Sequence, residues 1–297
     1  MLNLTSVSKK FQDHIVLHDV NLDIPEGSVF GLIGPNGSGK TTLLRIMAGI
    51  MKPDLGCAAV DHENIYDQPK LKKDILLISD DPFYFFQSTL ADMKAFYKVW
   101  YPQLDEDIYQ KYLKIFKLNE NKPIKNFSKG MKRQAFIILA LAISPKYLLL
   151  DEAFDGLDPV MRLTFKRAIM NLIEEKQMTI IISSHNLREL EDICDTFGIL
   201  ESCTISTKGN VDEAKDNIHK IQLAFENIVS EDDFKDLDIM SIQMQSRVVK
   251  LVVKGDLKQI QTYLSAKHPL MMEVLPVNLE ELFIYEMERK GYGVNEE

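Results

Sequence analysis

No apolar run in this sequence approaches the roughly 18 to 20 residues needed to cross a bilayer. The longest, around Phe136 to Ile143 and Tyr147 to Leu150, are far too short, so a soluble chain is expected. The N-terminus, Met1-Leu2-Asn3-Leu4-Thr5, has no basic stretch followed by a long apolar core and a small-residue cleavage site. A secretory signal is therefore not expected, and the cytosol is the expected compartment. Cysteine is scarce as well. Cys57, Cys194 and Cys203 are too few and too scattered for a disulfide framework or a spaced metal site, and are read as reduced, structural residues. An excess of basic residues is also missing. A net charge of -9 argues against a protein that tracks nucleic acid, since backbone binding relies on clustered Lys and Arg, although a local basic patch is compatible with it.

What is present is a globular composition. With 297 residues, 45% hydrophobic and 27% charged, the chain is long enough for one large domain and a smaller one. From Leu2 to about Ser206 short apolar runs alternate with amphipathic stretches, the pattern of an α/β domain. Ser28 to Ile33, Tyr147 to Leu150 and Thr179 to Ser183 read as buried strands, each ending in polar residues. In open parallel sheets ligands bind beyond those carboxyl ends. Asp158 can cap a helix with Pro159 at its first position, and Met161, Phe165, Ile169, Leu172 and Ile173 then recur at helical spacing as a core stripe. Asp92 to Asn121 reads as a helical insert between two sheet segments. Residues 1–210 are thus expected to form the first domain, with a helical subdomain over about 85–145.

After Lys208-Gly209-Asn210 the character changes, and 211–297 reads as a small accessory α+β domain. A strand at His219 to Phe225, a short helix near Glu231 to Leu237, a hairpin from Ser241 to Lys254, a helix from Leu257 to Ala266 and a strand at Met271 to Leu275 are expected. That β-α-β-β-α-β order is that of a ferredoxin-like unit. A final helix, Leu279 to Lys290, presents Leu279, Leu282, Phe283 and Met287 on one side.

Gly34-Pro35-Asn36-Gly37-Ser38-Gly39-Lys40-Thr41 fits the phosphate-loop pattern, follows an expected strand and opens a helix over Thr42 to Ala48. Glycines are needed because backbone N–H groups must wrap a phosphate at close range, often at angles that a β-carbon forbids. Lys40 supplies a full charge to the β- and γ-phosphates of ATP, and the Thr41 hydroxyl can ligate Mg²⁺. Thr42 is a further phosphate donor. A glycine-rich turn that merely joins strand to helix is the bland alternative, and the full pattern disfavours it.

Leu148-Leu149-Leu150-Asp151-Glu152 puts two carboxylates directly after a buried strand. Asp151 can hold Mg²⁺ through water, and Glu152 can position or deprotonate the attacking water. Taken alone the pair could equally be a solvated strand end or a helix cap. His185, after the third strand, can bond a γ-phosphate or orient water. A lone histidine at a strand end is more often structural, but here the three strand tips would adjoin.

The run Phe127-Ser128-Lys129-Gly130-Met131-Lys132-Arg133-Gln134, ahead of the apolar Ala135 to Ile143, resembles the signature segment of ABC ATPases. With Asp155-Gly156-Leu157-Asp158 and Ser183-Ser184-His185 following, the order is similar to that of the family over roughly residues 2 to 206. The resemblance implies an ATP-binding, phosphate-loop NTPase fold of the ABC type and a head-to-tail dimer. In that dimer Ser128, Lys129 and Gly130 of one subunit would close over ATP held by Lys40 of the other, identical or related, subunit. Ser128 can also be a plain helix cap, and both roles are compatible. Phe11 would stack on adenine with Val16 nearby, the alternative for Phe11 being a core position.

Two departures stand out. Asp80, in Ile78-Ser79-Asp80-Asp81-Pro82, occupies the position where the family usually has glutamine; an acid can meet Mg²⁺ or water but cannot donate when ionised. Lys129 stands where the commonest signature has glycine, a Ser-Lys-Gly-Met variant similar to ATPases of bacterial ABC-2 type exporters. The resemblance further implies a membrane-embedded permease partner and a peripheral position on the inner face of the cell membrane. Phe83-Tyr84-Phe85-Phe86 lies where the family meets that partner; equally, each ring could anchor the helical insert. Two other functions compete: a soluble mechanical ABC ATPase on DNA or ribosomes, which would normally carry coiled coils or two nucleotide domains, and a silent ATP sensor, which would not need both Glu152 and His185.

Overall fold

A computed structural model describes residues 1–211, 213, 217–278, 281 and 285. The chain divides into two compact units, Met1–Lys208 and Gly209–Glu297.

The first unit opens with β1 (Leu2–Phe11), β2 (His14–Ile24) and β3 (Val29–Ile33), then α1 (Lys40–Met47), β4 (Leu55–Val60) and β5 (Glu63–Asn64). A short α2 (Pro69–Lys72) leads to β6 (Ile75–Ile78). The helical segment holds α3 (Leu90–Trp100), α4 (Glu106–Phe116) and α5 (Lys129–Ile143). The chain returns through β7 (Tyr147–Asp151), α6 (Pro159–Lys176), β8 (Thr179–Ser184), α7 (Leu187–Leu190), β9 (Thr196–Glu201) and β10 (Thr204–Asn210).

Two sheets result. One has the order β2-β1-β4-β5 with antiparallel pairing. The other runs β10-β9-β3-β8-β7-β6, and its pairs β9–β3, β3–β8, β8–β7 and β7–β6 are parallel. One buried cluster joins them: Leu4, Leu22 and Val60 from the antiparallel sheet, Leu43, Leu44 and Met47 from α1, and Phe30, Leu149 and Ile181 from the parallel sheet. Because β3, β7 and β8 are neighbours in register, with Ile33 opposite Ser184 and Asp151 opposite Ser183, their carboxyl ends bring Gly34, Asp151-Glu152 and His185 side by side.

The helical segment differs from the single stretch expected over Asp92 to Asn121. It breaks into α3 and α4 because Pro102 cannot continue a helix and Asp105 starts a new one, its carboxylate accepting from the Asp107 and Ile108 amides. Ten of the fifteen residues of α5 are buried, nine of them the stretch Ala135 to Ile143, which is apolar all round, and the tenth Arg133. Asp158 caps α6 by accepting from the Met161 amide at 3.0 Å. Phe165, Ala168, Ile169 and Leu172 form the buried face of α6; Met161 and Ile173 lie at its margin, half-buried.

In the second unit β11 (Ile218–Ala224), β12 (Asp238–Gln245), β13 (Val248–Lys254) and β14 (Met271–Leu275) form an antiparallel sheet of order β12-β13-β11-β14, with α8 (Leu257–Ser265) between β13 and β14 in sequence. Ile221, Leu223, Val249, Leu251 and Val253 pack on Phe234, Ile260 and Leu264. The short helix expected to reach Leu237 is a single 3-10 turn, Glu231–Phe234, opened by the Ser230–Asp233 capping box, and the chain enters β12 at Asp238. The terminal helix expected over Leu279 to Lys290 lies, but for Glu281 and Tyr285, outside the described residues.

Candidate functional site

The phosphate loop leaves β3 at Gly34, where the amide donates to the Ser184 carbonyl at 3.3 Å. A β-carbon at Gly34 would lie 2.4 Å from the Leu200 carbonyl oxygen, so no side chain fits. Gly39 caps α1 at φ 104, a backbone angle that favours glycine, and turns the chain so that α1 begins at Lys40. The Ser38 hydroxyl is buried with no hydrogen-bond partner. A buried hydroxyl beside helix-start amides is what a phosphate oxygen would satisfy.

Lys40 is 5% exposed, and its ammonium donates to the Gly34 and Pro35 carbonyls at 2.7 and 3.1 Å while pairing with Glu152 Oε1 at 3.1 Å. Glu152 Oε2 meets His185 Nδ1 at 2.9 Å, so one carboxylate is bracketed by an ammonium and an imidazole. Glu152 sits in the left-handed region at φ 50, and its amide donates to Ser183 Oγ at 3.0 Å. For a residue with a β-carbon that angle costs about 1–2 kcal/mol; it directs the side chain of Glu152 away from the strand line.

Asp151 is 2% exposed and accepts from both flanking hydroxyls, Thr41 Oγ1 at 2.8 Å and Ser183 Oγ at 2.7 Å. Carboxylate and hydroxyl oxygens are the hard donors that Mg²⁺ takes, so this pair fits that ion. A cleft of about 330 Å³ is lined by Asn36, Gly37, Gly39, Lys40, Thr41 and Thr42, with Val16, Asp80 and Glu152 completing it. Phe11 is 45% exposed at the end of β1, with Lys9 Nζ 5.7 Å from its ring centroid, and does not line the cleft.

Ser128, Lys129 and Gly130 do not line this cleft. Ser128 caps α5, accepting from the Met131 amide at 3.2 Å. Asp80 touches both regions: it lines the cleft, takes a bond from Arg133 Nη2, and lies 3.5 Å from Lys129 Nζ.

Three residues that the sequence reading quoted within motifs were given no role of their own there. Ser183 ties the Asp151 side chain to the Glu152 amide, and Asp155 brings a carboxylate oxygen within 4.8 Å of the Glu152 and His185 ligand atoms. Arg133, 1% exposed, donates to the Asp151 carbonyl at 3.1 Å and to the Glu152 carbonyl. Its only sequence signal was a guanidinium just ahead of the apolar stretch Ala135 to Ile143.

A phosphate loop at one parallel strand and an Asp-Glu pair at the next but one define a phosphate-loop nucleotide-binding domain. Comparison with known proteins narrows the class. A family model described as ABC transporter matches residues 17–155. The chain is 33% identical over 289 residues to the ABC transporter ATP-binding protein YtrB of Bacillus subtilis (strain 168), covering 96% of this chain and 97% of that one. It is 32% identical over 230 residues to the lantibiotic transport ATP-binding protein SrtF of Streptococcus pyogenes, 76% of this chain and 99% of that one. A solved ATP binding subunit of an ABC transporter superposes with a TM-score of 0.66 at 27% identity, over 72% of this chain and 92% of the other. The chain belongs to the ATP-binding subunits of ABC transporters, the ATPases of that family. Among the described residues no helix is long and apolar enough to cross a membrane.

Proposed function

We propose that this chain binds and hydrolyses ATP at composite sites shared by two subunits, and that the cycle drives a separate membrane permease in the export direction. The observation that carries the hydrolytic reading is the bracketed carboxylate: Glu152 between Lys40 at 3.1 Å and His185 at 2.9 Å, beside the phosphate loop. Glu152 orients the attacking water and accepts its proton, while His185 holds the Glu152 carboxylate and then the γ-phosphate. Lys40, the loop amides and Thr42 hold the phosphates. Thr41 and Asp151 would hold Mg²⁺, which when bound neutralises charge developing on the phosphate oxygens.

The shared site is supported by the lining of the cleft, which lacks the signature residues. Ser128 and Gly130 stand at the start of a fifteen-residue helix outside the chain's own cleft, where a second copy or a related subunit can meet them. A hydroxyl and amides at a helix start suit a γ-phosphate. Phe11 would stack on adenine, for which its exposed ring is available.

Permease docking is supported by the exposed rings of Phe83, Phe85, Phe86 and Trp100, which are 69%, 49%, 73% and 62% exposed. Phe83 and Tyr97 also line a cavity of about 220 Å³, and Tyr97 and Trp100 one of about 420 Å³. Exposed aromatic clusters of this kind mark interaction sites. Such docking would make the protein peripheral on the cytoplasmic face of the membrane. Export is supported by the Ser-Lys-Gly-Met variant. The second unit would contribute to dimerisation, regulation or permease contact.

The hydrolytic reading is tested by Glu152→Gln in Mg²⁺-ATP. Phosphate release should fall on the order of 10²–10⁴-fold, the contribution of a positioned general base; a variant as active as wild type would refute the role of Glu152.

A further inference from the structure

We propose that Arg133 is a positioning residue for Glu152, and that Asp80 serves first as the counter-ion of Arg133. This rests on the reading of Glu152 given above and goes beyond it. The side chain of Arg133 is 1% exposed and its Nε has no hydrogen-bond partner, so the bonds of its two terminal nitrogens carry its satisfaction. Nη1 donates to the Asp151 and Glu152 carbonyls, and Nη2 to Asp80 Oδ1. A guanidinium stays charged when buried and needs an anionic partner beside its other acceptors. Asp80 supplies that partner; it is 49% exposed, and Lys129, 67% exposed, reaches the same oxygen from the rim at 3.5 Å.

The consequence for chemistry follows from the backbone. The Asp151 and Glu152 carbonyls flank the point where the chain leaves β7 and turns to φ 50 at Glu152. A guanidinium fixed on both carbonyls, and itself fixed by Asp80, ties that turn to α5, whose first turn carries Ser128 and Gly130. The acid at position 80, where the family resemblance implies a glutamine, thus meets the need of the arginine beside it. Glutamine at position 80 would leave Arg133 without an anion, and Asp80 without Arg133 would keep only the exposed Lys129 as partner at the edge of the cleft it lines.

The test is a double-mutant cycle on the full chain with Asp80→Asn, Arg133→Met and the double variant, read by steady-state ATPase kinetics over a Mg²⁺ series. Each single variant should lose on the order of 10²-fold in kcat, the loss that a displacement of about 1 Å at a reacting group carries, with KM for ATP within about threefold of wild type. The double variant should be no worse than the worse single one. Losses that multiply, or an Asp80→Asn loss recovered by raising Mg²⁺, would overturn the proposal and make Asp80 an independent ligand. Wild type and Glu152→Gln run alongside: if wild type hydrolyses ATP and Glu152→Gln does not while the cycle is multiplicative, only the positioning role fails. If wild type itself is inactive, the hydrolytic reading fails, and the pair is judged by melting the same four proteins without nucleotide. Non-additive melting shifts uphold the Asp80–Arg133 pairing and additive shifts overturn it. Should Arg133→Met not fold, Arg133→Lys, which keeps the charge and loses the fork, takes its place in the cycle.

Discussion

Replacing Gly130 with alanine forces apart two backbones on which the composite site depends. The added methyl group would lie 2.6 Å from the Gly156 carbonyl oxygen, whereas ordinary contact begins at 3.4 Å, so the start of α5 and the loop after β7 must separate by 0.8 Å (3.4 − 2.6). Gly156 sits at φ 73 and its oxygen is backbone, so no flexible side chain can yield instead. Overpacking of this kind costs about 1–3 kcal/mol. In a unit of about 200 residues each kcal/mol moves the melting temperature by about 2–4 °C, which gives a fall of roughly 2 to 12 °C. Differential scanning calorimetry of the full chain without nucleotide measures it directly. The same displacement moves Ser128, and ATP turnover should approach the 10²-fold loss associated with a shift of about 1 Å. A Gly130→Ala protein that melts with wild type and turns over ATP normally would refute both the close approach and its bearing on the site.

A charge cluster at the start of the chain gives a pH dependence. Glu26 accepts from Lys146, the N-terminal amino group and the Tyr147 hydroxyl, which hold its carboxyl down at about 2. A depressed carboxyl stabilises the fold fully above its unfolded value of about 4.3, and that contribution is lost as pH falls toward about 2. Glu26→Gln should therefore melt slightly below wild type at pH 7, the gap being small because Glu26 is 46% exposed, and the gap should close by pH 2. A gap unchanged between pH 7 and 2 would contradict this assignment. On the docking face, Phe83→Asp and Phe85→Asp should abolish permease co-purification in a protein that still folds, as Phe83 is largely exposed and Phe85 half-exposed against Phe83 and Phe96. Retained co-purification would remove this face from consideration.

The parts of the fold that could be read were those where one physical rule acts alone. The strands Val29–Ile33, Tyr147–Asp151 and Thr179–Ser184 are buried on both faces, so each appears as an unbroken apolar run, and each ends where the sequence turns polar. Asp158-Pro159 announced α6 in the same way. The antiparallel sheet stayed hidden because its alternation is interrupted: Ser6 at φ 48 in β1 and Asp19 at φ 47 in β2 each shift the side-chain order. The boundary between α3 and α4 was marked by Pro102 and Asp105, but aromatic and charged residues on both sides masked it.

The site shows the same division. The phosphate loop and Asp151-Glu152 are continuous motifs, and their meeting follows from strand register. Ser183 and Arg133 act through contacts between segments distant in sequence, 32 and 18 residues from Asp151, and nothing local distinguishes a serine at a strand end or an arginine beside a lysine at a helix start. Asp80 was visible as a departure, but its reason lies in Arg133, 53 residues further on.

The central claim, a nucleotide site completed by a second subunit, is tested most directly by the mass of Glu152→Gln in solution. Size-exclusion chromatography with light scattering should find a monomer without nucleotide and, in ATP, a dimer of about 68 kDa, twice the 34.1 kDa chain. Adding Ser128→Arg should leave ATP binding intact and abolish the dimer. A Glu152→Gln protein that binds ATP stoichiometrically and remains at 34.1 kDa would contradict a site built from two copies of this chain.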